Sequence, residues 1–320
     1  MKLIIQIPCY NESATLDVTV RELPKEVPGF DIVEYLIIDD GSTDKTSEVA
    51  KALGVHHIVR HPANFGLARG FQTGIDACLR FGADVIVNTD ADNQYPGRYI
   101  TDLTAPIINR VADIVIGDRQ TDKIEHFSRI KRFLQRFGTA AVRHLSGTAV
   151  ADAPSGFRAY SREAALRINI LTQFSYTLET IIQAGKTQLK IVNVPISTNP
   201  PLRPSRLHKS TSQFVLKQLS TILRLYAFYE PLKTFSLLSL PFLLIGAAAW
   251  IRFIYLYLDG QSDIGRFIQS LTMGTGLIVM GLLILLFGLQ ADIANKHRQL
   301  TQIVLYRLRK LEYRLLVGDK

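Results

Sequence analysis

Cysteine is scarce in this sequence, with only Cys9 and Cys78 among 320 residues. Two isolated cysteines match neither a metal site nor a disulfide framework, so we expect both to be packing residues in a reducing compartment. Two nucleotide-binding fingerprints are also missing. The pattern Gly-x-Gly-x-x-Gly does not occur, and the Gly-Lys-Thr at 185–187 lacks the first glycine of a P-loop because position 180 is Thr. The sequence therefore excludes a Rossmann dinucleotide site and a P-loop NTPase, and its 47% hydrophobic content excludes a disordered chain.

Basic side chains are in excess only in the last third of the chain. The net charge is +9, yet residues 1–200 carry 22 basic and 22 acidic side chains, so the whole excess falls in residues 201–320. The same third contains two long apolar runs without a charged residue, at 235–251 and 271–289. A basic excess beside such runs indicates an anionic membrane surface as partner, and no nucleic acid.

The two apolar runs predict a transmembrane hairpin. With flanking apolar residues, each reaches the roughly 20 residues that a helix needs to cross a bilayer, and we expect spans at 232–258 and 267–290. Basic residues crowd both outer flanks, which by the positive-inside rule places both termini and the N-terminal domain in the cytoplasm. Gly274, Gly281 and Gly288 recur every seven residues. They fit close helix packing, either within the hairpin or between the subunits of a homo-oligomer, or else glycines that are simply tolerated in the span.

Residues 1–205 have the alternating pattern of an α/β domain. Apolar β-branched runs predict strands at 3–7, 35–38, 57–60, 84–88, 113–116 and 189–194, and helical spacing predicts helices at 13–23, 43–53, 67–81 and 99–109. This alternation predicts a Rossmann-like, mostly parallel sheet covered by helices. We expect an amphipathic juxtamembrane helix at 206–231 and, after the hairpin, a basic helical tail at 291–320.

Acidic residues follow three of the predicted strands. Glu12 comes after the first strand, Asp39 and Asp40 after the second, and Asp90 and Asp92 after the fourth. Because ligands of open parallel sheets bind outside the carboxyl ends of the strands, we expect these carboxylates to share a ligand. Two carboxylates spaced two residues apart can converge on one hard cation, and Mg²⁺ or Mn²⁺ would also bind the oxygens of a diphosphate.

Six segments together resemble a known enzyme family. They read PCYNE at 8–12, DDGSTD at 39–44, NFGLARG at 64–70, DADNQYP at 90–96, GDR at 117–119 and SGFR at 155–158. The set is similar to the family 2 glycosyltransferases of the GT-A fold. More narrowly, it resembles the polyprenyl-phosphate glycosyltransferases, relatives of dolichol-phosphate mannose synthase whose bacterial members have two C-terminal spans.

The resemblance implies an inverting transfer of a sugar from a nucleotide diphosphate to the phosphate of a membrane polyprenol. It implies a nucleotide-sugar site whose residues lie in the matching motifs: Pro8, Tyr10, Glu12, Asp39, Asp40, Gly66 and Arg119. Arg119 would face the diphosphate or the sugar, and Asp90 would lie near the ribose and diphosphate. The resemblance also implies a Mg²⁺ or Mn²⁺ site at Asp92 and Gln94, with Asp90 beside them.

The acceptor needs orientation more than deprotonation. A phosphate monoester with a second pKa near 6 is already largely ionised at neutral pH. We therefore interpret Asp152, four residues before Gly156, as an orienting or acceptor-side carboxylate rather than a strong base, or else as the cap of that turn.

A polyanionic acceptor also requires basic residues near the membrane. Arg203, Arg206 and Lys209 lie in a proline-rich loop before the first span and would bind either the acceptor phosphate or lipid head groups. Relatives often have Arg-x-x-Gly-x-Ser-Lys in this loop, and this chain lacks that glycine. Arg129 lies in a second basic helix at 128–145, which suits acceptor binding, membrane docking or plain solvent exposure.

The sequence leads to one main function and three alternatives. The main prediction is transfer of glucose from UDP-glucose to undecaprenyl phosphate. A mannose or modified-arabinose transferase is the nearest alternative within the same enzyme class. A transporter or lipid flippase subunit is disfavoured, because two spans without an intramembrane acid or a broken-helix pair offer little of a translocation pathway. A catalytically inactive membrane scaffold is the third alternative.

Overall fold

The computed structural model describes residues 1–120, 129–170, 176–200, 220–221, 223–259 and 264–317, with the side chains of 129–135 and 264–267 left out of the description. Two compact units make up the chain. The first, called the α/β unit here, comprises Met1–Gln218 and Gln302–Lys320, and the second, called the helical unit, comprises Leu219–Thr301.

Strands and helices alternate along the α/β unit as the sequence pattern predicts. The strands are β1 Lys2–Cys9, β2 Ile32–Asp39, β3 His57–Arg60, β4 Val85–Asn88, β5 Ile114–Asp118, β6 Arg158–Ser161 and β7 Ile191–Pro195. The helices are α1 Leu16–Glu22, α2 Thr46–Ala52, α3 Leu67–Arg80, α4 Ile100–Ile108, α5 Arg129–Ser146, α6 Arg162–Arg167 and α7 Tyr176–Lys186.

Seven strands form one sheet in the order β3-β2-β1-β4-β6-β5-β7. Strand β6 runs antiparallel to β4 and β5, while the other neighbouring strands are parallel. The central strand β1 is covered on both faces, and Leu3, Ile4, Ile5 and Ile7 are all fully buried. A strand buried on both faces reads as a continuous apolar run, which is why it was predictable from sequence. The prediction of a mostly parallel α/β sheet is confirmed.

Strand β6 has no counterpart among the predicted strands. Its sequence, RAYS, contains no β-branched residue, and its first side chain is a fully buried arginine. Arg158 donates to three backbone carbonyl oxygens and to the Thr180 hydroxyl at 2.6–2.8 Å, so four of its five N–H groups have protein acceptors. Only tertiary contacts make this segment a strand.

The sheet register brings the carboxyl ends of β1, β2 and β4 to one edge. Cys9 of β1 lies opposite Asp39 of β2, and Gln6 lies opposite Asn88 of β4. The turn after β2 depends on Gly41, which has φ +69°, and an added Cβ there would lie 2.4 Å from the backbone of Ala63. We call this carboxyl end of the sheet, with the turns that leave it, the sheet edge.

The helical unit contains a 28-residue helix, α8 (Pro231–Leu258), and most of a 54-residue helix, α9 (Ile264–Val317). Both are long and apolar enough to cross a membrane. The repeated glycines of α9 face α8 in the same chain. An added Cβ would lie 3.0 Å from the Gly246 carbonyl oxygen at Gly274, 2.7 Å from Leu243 at Gly281 and 2.6 Å from Phe235 at Gly288. The glycine pattern therefore explains close packing within the hairpin.

The last turns of α9 belong to the α/β unit. Arg309 donates to the carbonyl oxygen of Ile168 at 2.7 Å and to the Asp76 carboxylate at 2.8 Å. The Tyr306 hydroxyl donates to Glu163 Oε1 at 2.8 Å. The predicted second span and the basic tail thus form one continuous helix, and its end is fastened to the α/β unit.

Candidate active site

Asp39 is held in place by its own turn. Its side chain is fully buried at the end of β2. Oδ1 accepts a hydrogen bond from the backbone N–H of Ser42 at 2.8 Å, Oδ2 accepts one from the Ser47 hydroxyl, and Arg60 Nε lies 3.5 Å from Oδ2. A carboxylate has about four acceptor positions. The turn therefore fixes the orientation of Asp39 and leaves one acceptor position of its carboxylate unused within the described residues.

Asp40 shapes the loop that leads into α3. Its carboxylate accepts hydrogen bonds from the backbone N–H groups of Phe65 (3.0 Å) and Gly66 (2.8 Å) and contacts His61 Nδ1 at 2.7 Å. His61 Nε2 lies 3.0 Å from the Thr73 hydroxyl. The His61 ring therefore links the Asp40 carboxylate to the Thr73 hydroxyl. Gly66 has φ +90° with open space at its Cβ position, so backbone conformation rather than packing requires glycine there.

The residues after β1 combine an exposed ring with a buried acid. Pro8 is buried within β1, opposite Ile38, whereas Tyr10 is 39% exposed. Glu12 is only 6% exposed and accepts a hydrogen bond from the Thr15 hydroxyl at 2.9 Å. An exposed aromatic ring at a ligand edge is suited to stacking on a base, while its hydroxyl can remain in water.

Asp90 is packed against a glycine from another part of the chain. An added Cβ on Gly156 would lie 3.3 and 3.4 Å from the two carboxylate oxygens of Asp90 and 2.7 Å from the Tyr176 hydroxyl. Asn88 Nδ2 donates to the Gly156 carbonyl at 2.8 Å, and Asn88 Oδ1 accepts from Gln6 Nε2 at 2.9 Å. This buried amide relay fixes the distance between the end of β4 and the segment that carries Gly156.

Asp92 and Gln94 are suited to bind a divalent cation whose remaining ligands come from a bound diphosphate and water. Asp92 Oδ1 accepts a hydrogen bond from the Gln94 N–H at 3.2 Å, and within the described ranges no ion pair engages Asp92. The described residues contain no group of three or more His, Cys, Asp or Glu able to hold a metal. Mg²⁺ is commonly bound by one or two carboxylates together with substrate phosphates and water. The donor set therefore suits a divalent cation completed by a diphosphate, not a closed structural site.

Arg119 and Asp152 form a buried bidentate pair. Arg119 Nε donates to Oδ2 at 2.7 Å, Nη2 donates to Oδ1 at 2.9 Å, and the Arg119 backbone N–H donates to Oδ2 at 3.2 Å. Burial alone would lower the pKa of Arg119, but Tyr95, Asp152 and Asp90 raise it above its ordinary value, so the guanidinium stays charged. Three of its five N–H groups make no hydrogen bond to the part of the chain that the structure describes. They can donate to an anionic ligand while Asp152 holds the group in place.

Tyr95 was not singled out by the sequence, although it lies in the DADNQYP segment. Its ring stacks on Phe157 with the centroids 5.0 Å apart, and its hydroxyl accepts a 3.4 Å hydrogen bond from the Gly156 N–H. Complete burial raises the pKa of Tyr95 to about 12, so it remains a neutral phenol. An aromatic residue shortly after an acidic strand end was the available signal, but its partner lies 61 positions away.

The predicted acceptor residues cannot be placed in the same way. Arg203, Arg206 and Lys209 lie outside the described residues. Arg129 begins α5, and its side chain lies outside the description. Their roles stay predictions.

Comparison with known proteins identifies the same enzyme family that the sequence motifs resemble. A family model described as glycosyl transferase family 2 matches residues 4–168. An uncharacterised protein of Methanocaldococcus jannaschii is 34% identical over 203 residues, which cover 62% of this chain and 81% of that protein. The undecaprenyl-phosphate mannosyltransferase of Micrococcus luteus is 26% identical over 207 residues, covering 62% of this chain and 83% of that protein.

Among solved structures, glucosyl-3-phosphoglycerate synthase of Mycobacterium tuberculosis, in complex with Mn²⁺, UDP and glucosyl-3-phosphoglycerate, has the same fold. The TM-score is 0.55 at 21% identity, and the match covers 71% of this chain and 79% of that one. The α/β unit therefore has the GT-A fold, as the sequence predicted. The chain belongs to glycosyl transferase family 2, whose model spans just over half of it, and it is a glycosyltransferase.

Proposed function

We propose that this enzyme transfers a sugar from a nucleotide diphosphate donor to polyprenyl phosphate at the cytoplasmic face of a membrane. One observation carries the proposal. The same chain contains a family 2 glycosyltransferase domain and two helices that are long and apolar enough to span a bilayer. The relative from Micrococcus luteus acts, by its name, on undecaprenyl phosphate. A membrane-spanning enzyme has direct access to such a lipid.

The donor would bind along the sheet edge, with its base and ribose near Tyr10 and Asp39 and its diphosphate near Asp90 and Arg119. Bond breaking leaves negative charge on the departing nucleoside diphosphate, and preorganised positive groups stabilise that charge. Arg119 is oriented for this task before the donor binds, because Asp152 clamps one side of its guanidinium. Asp90, Asp92 and Gln94 would hold Mg²⁺ or Mn²⁺, which supplies further stabilisation of the leaving group when bound.

The acceptor step requires no strong base. A phosphate oxygen of the acceptor attacks the anomeric carbon, the bond from that carbon to the diphosphate oxygen breaks, and the nucleoside diphosphate leaves with the electron pair. The attacking phosphate is already largely ionised at neutral pH. Asp152 has three hydrogen bonds from Arg119, which suits a positioning role better than proton abstraction.

For the donor we propose UDP-glucose, and for the acceptor undecaprenyl phosphate, with both termini in the cytoplasm. Mannose is the second candidate sugar, because it is the sugar named for the Micrococcus luteus relative, and a modified arabinose is a third. A few hydrogen bonds decide between hexoses. The sugar is therefore best identified by direct assay.

The test uses full-length protein purified in detergent, undecaprenyl phosphate and MgCl₂, with UDP-glucose, GDP-mannose and other nucleotide sugars supplied one at a time. Mass analysis of the lipid fraction should show one hexose added per polyprenyl phosphate. We expect Asp92→Asn to reduce transfer by about 100-fold or more while the protein stays folded, because a charged cation ligand is lost. Asp102→Asn, an exposed acid on α4, is the matched control and should retain full transfer. Absence of a lipid product with every donor would refute the proposal and favour an inactive scaffold or a flippase subunit.

A further inference from the structure

A cluster of four residues in the helical unit contains a cation with no counter-ion in the described chain. The guanidinium carbon of Arg298, on α9, lies 3.9 Å from the ring centroid of Phe228 and 4.6 Å from that of Tyr229. Asn295 joins the two segments, since its Oδ1 accepts from Arg298 Nη2 at 2.7 Å and its Nδ2 donates to the Tyr229 carbonyl at 3.3 Å. We call this group the arginine cluster.

Two donors of Arg298 are left unused. Nε and Nη1 are both buried, and neither has a hydrogen-bond partner within the described ranges. No described carboxylate forms an ion pair with Arg298, and the nearest acid in sequence to the two aromatic rings, Glu230, pairs with Lys233 at 3.1 Å. An arginine does not lose its proton in proteins. A buried charged donor without a partner is costly, so this arrangement calls for an external anion.

The position of Arg298 relative to the apolar run indicates which anion. Arg298 is nine residues beyond Leu289, where the apolar run ends, a rise of about 14 Å at 1.5 Å per residue. The head-group region on each side of a bilayer is only about 5–8 Å thick. Side chains on a helix tilt toward its N-terminus, which on α9 is the membrane side. The Arg298 side chain extends in that direction, since Nη2 donates to Asn295 about one turn nearer the apolar run. The guanidinium therefore lies at the outer limit of the head-group region, within reach of a lipid phosphate.

Charge and shape favour a lipid phosphate monoester. Arginine pairs well with phosphate oxygens, and a monoester carries up to two negative charges where a phospholipid diester carries one. Phe228 is 38% exposed next to the guanidinium and offers apolar surface to the first part of a lipid chain. We propose that the arginine cluster binds the phosphate head group of the polyprenyl phosphate acceptor, on the membrane unit itself. The inference rests on the proposed function, which supplies the identity of the acceptor.

The test measures lipid binding without any nucleotide sugar. Full-length protein in detergent is titrated with undecaprenyl phosphate, undecaprenol or phosphatidylglycerol and followed by native mass spectrometry, with Arg298→Gln, Arg298→Lys and, as control, Lys296→Gln. Lys296 is exposed on the same helix, and its substitution makes the same change in charge. We expect Arg298→Gln to weaken undecaprenyl phosphate binding at least tenfold, Arg298→Lys to have an intermediate effect, and Lys296→Gln to stay within twofold of the parent. Undecaprenol and phosphatidylglycerol should bind weakly to all four proteins.

Two results would overturn this inference. Equal binding of undecaprenyl phosphate by the parent and Arg298→Gln, with only a lower melting temperature, would give Arg298 a packing role alone. Binding of phosphatidylglycerol to the parent as tight as that of undecaprenyl phosphate would make the cluster a site for ordinary phospholipid. A protein that binds undecaprenyl phosphate through Arg298 but transfers no sugar would refute the proposed function and leave the binding site standing, so the two failures are distinguishable.

Discussion

The sheet edge and the arginine cluster treat their charged groups differently. At the sheet edge, Asp39 and Asp40 each accept two or more hydrogen bonds from their own unit, and the Arg119 guanidinium donates two to Asp152. In the arginine cluster, Arg298 keeps two buried donors with no partner among the described residues. Groups that the protein itself orients need no reorganisation when a reaction develops charge beside them. The difference separates a preorganised donor site from a site that only an external anion completes.

The largest expected effect comes from Gly156→Ala, which attacks preorganisation directly. The new methyl group would lie 2.7 Å from the Tyr176 hydroxyl, which must shift, and 3.3 and 3.4 Å from the two Asp90 carboxylate oxygens, which must give way by a few tenths of an ångström. Displacing one electrostatic group at a reacting centre typically costs about 10²–10³ in rate, and we expect initial rates of sugar transfer to fall by that factor. Gly138→Ala is the control, since its added Cβ meets nothing within 4 Å. Full activity of Gly156→Ala would show that the position of Asp90 does not matter for transfer.

Asp152→Asn distinguishes positioning from base catalysis and should have a moderate effect. The amide still accepts a hydrogen bond from Arg119 but loses the ion pair, so Arg119 is held less firmly. We expect kcat to fall by about tenfold or less with an unchanged pH profile, whereas loss of a general base costs about 10²–10⁴. Initial rates from pH 5.5 to 8.5 make the measurement, because the second ionisation of the acceptor near pH 6 should then still set the acid limb. A loss above 10³ without a change in melting temperature would identify Asp152 as the base.

The sequence predicted the strands that contain a run of apolar, mostly β-branched residues and missed the one whose stability comes from distant partners. Strand β1 is readable because Leu3 to Ile7 are buried on both faces, whereas β6 exists because Arg158 is satisfied by acceptors up to 22 positions away. The candidate active site shows the same contrast between residues that the local sequence reveals and contacts that depend on distant partners. Asp39 and Asp90 could be expected at the sheet edge because Asp39 directly follows an apolar run and Asp90 comes three residues after one.

The pairing of Arg119 with Asp152 and the approach of Gly156 to Asp90 could not be predicted, because they join positions 33 and 66 residues apart. The repeated glycines of α9 gave two packing interpretations, a hairpin contact or a subunit contact. The periodicity marks a packed face but not the partner helix, and only the position of α8 shows that the face is occupied within the chain.

The smallest expected effect concerns the attachment of the end of α9 to the α/β unit. Burial raises the pKa of Glu163, but hydrogen bonds from Tyr306 and Arg167 outweigh burial and lower it overall. Because the pKa is depressed in the folded protein, this contact stabilises the attachment above the usual pKa of 4.5 and is lost as the pH falls through the lower, folded value. Tyr306→Phe removes a hydrogen bond that contributes about 0.5–1.5 kcal/mol. At pH 7 we expect amide hydrogen exchange in residues 302–317 to rise by about two- to tenfold.

The difference in exchange between the parent and Tyr306→Phe should shrink as the pH is lowered below 4.5, after correction for the intrinsic exchange rate. Exchange in β1, in the centre of the sheet, is the internal control and should be the same in both proteins. If residues 302–317 exchange equally in the two proteins at pH 7, Tyr306 does not hold the tail. The attachment would then depend on Arg309, whose guanidinium is bonded to both Asp76 and the Ile168 carbonyl.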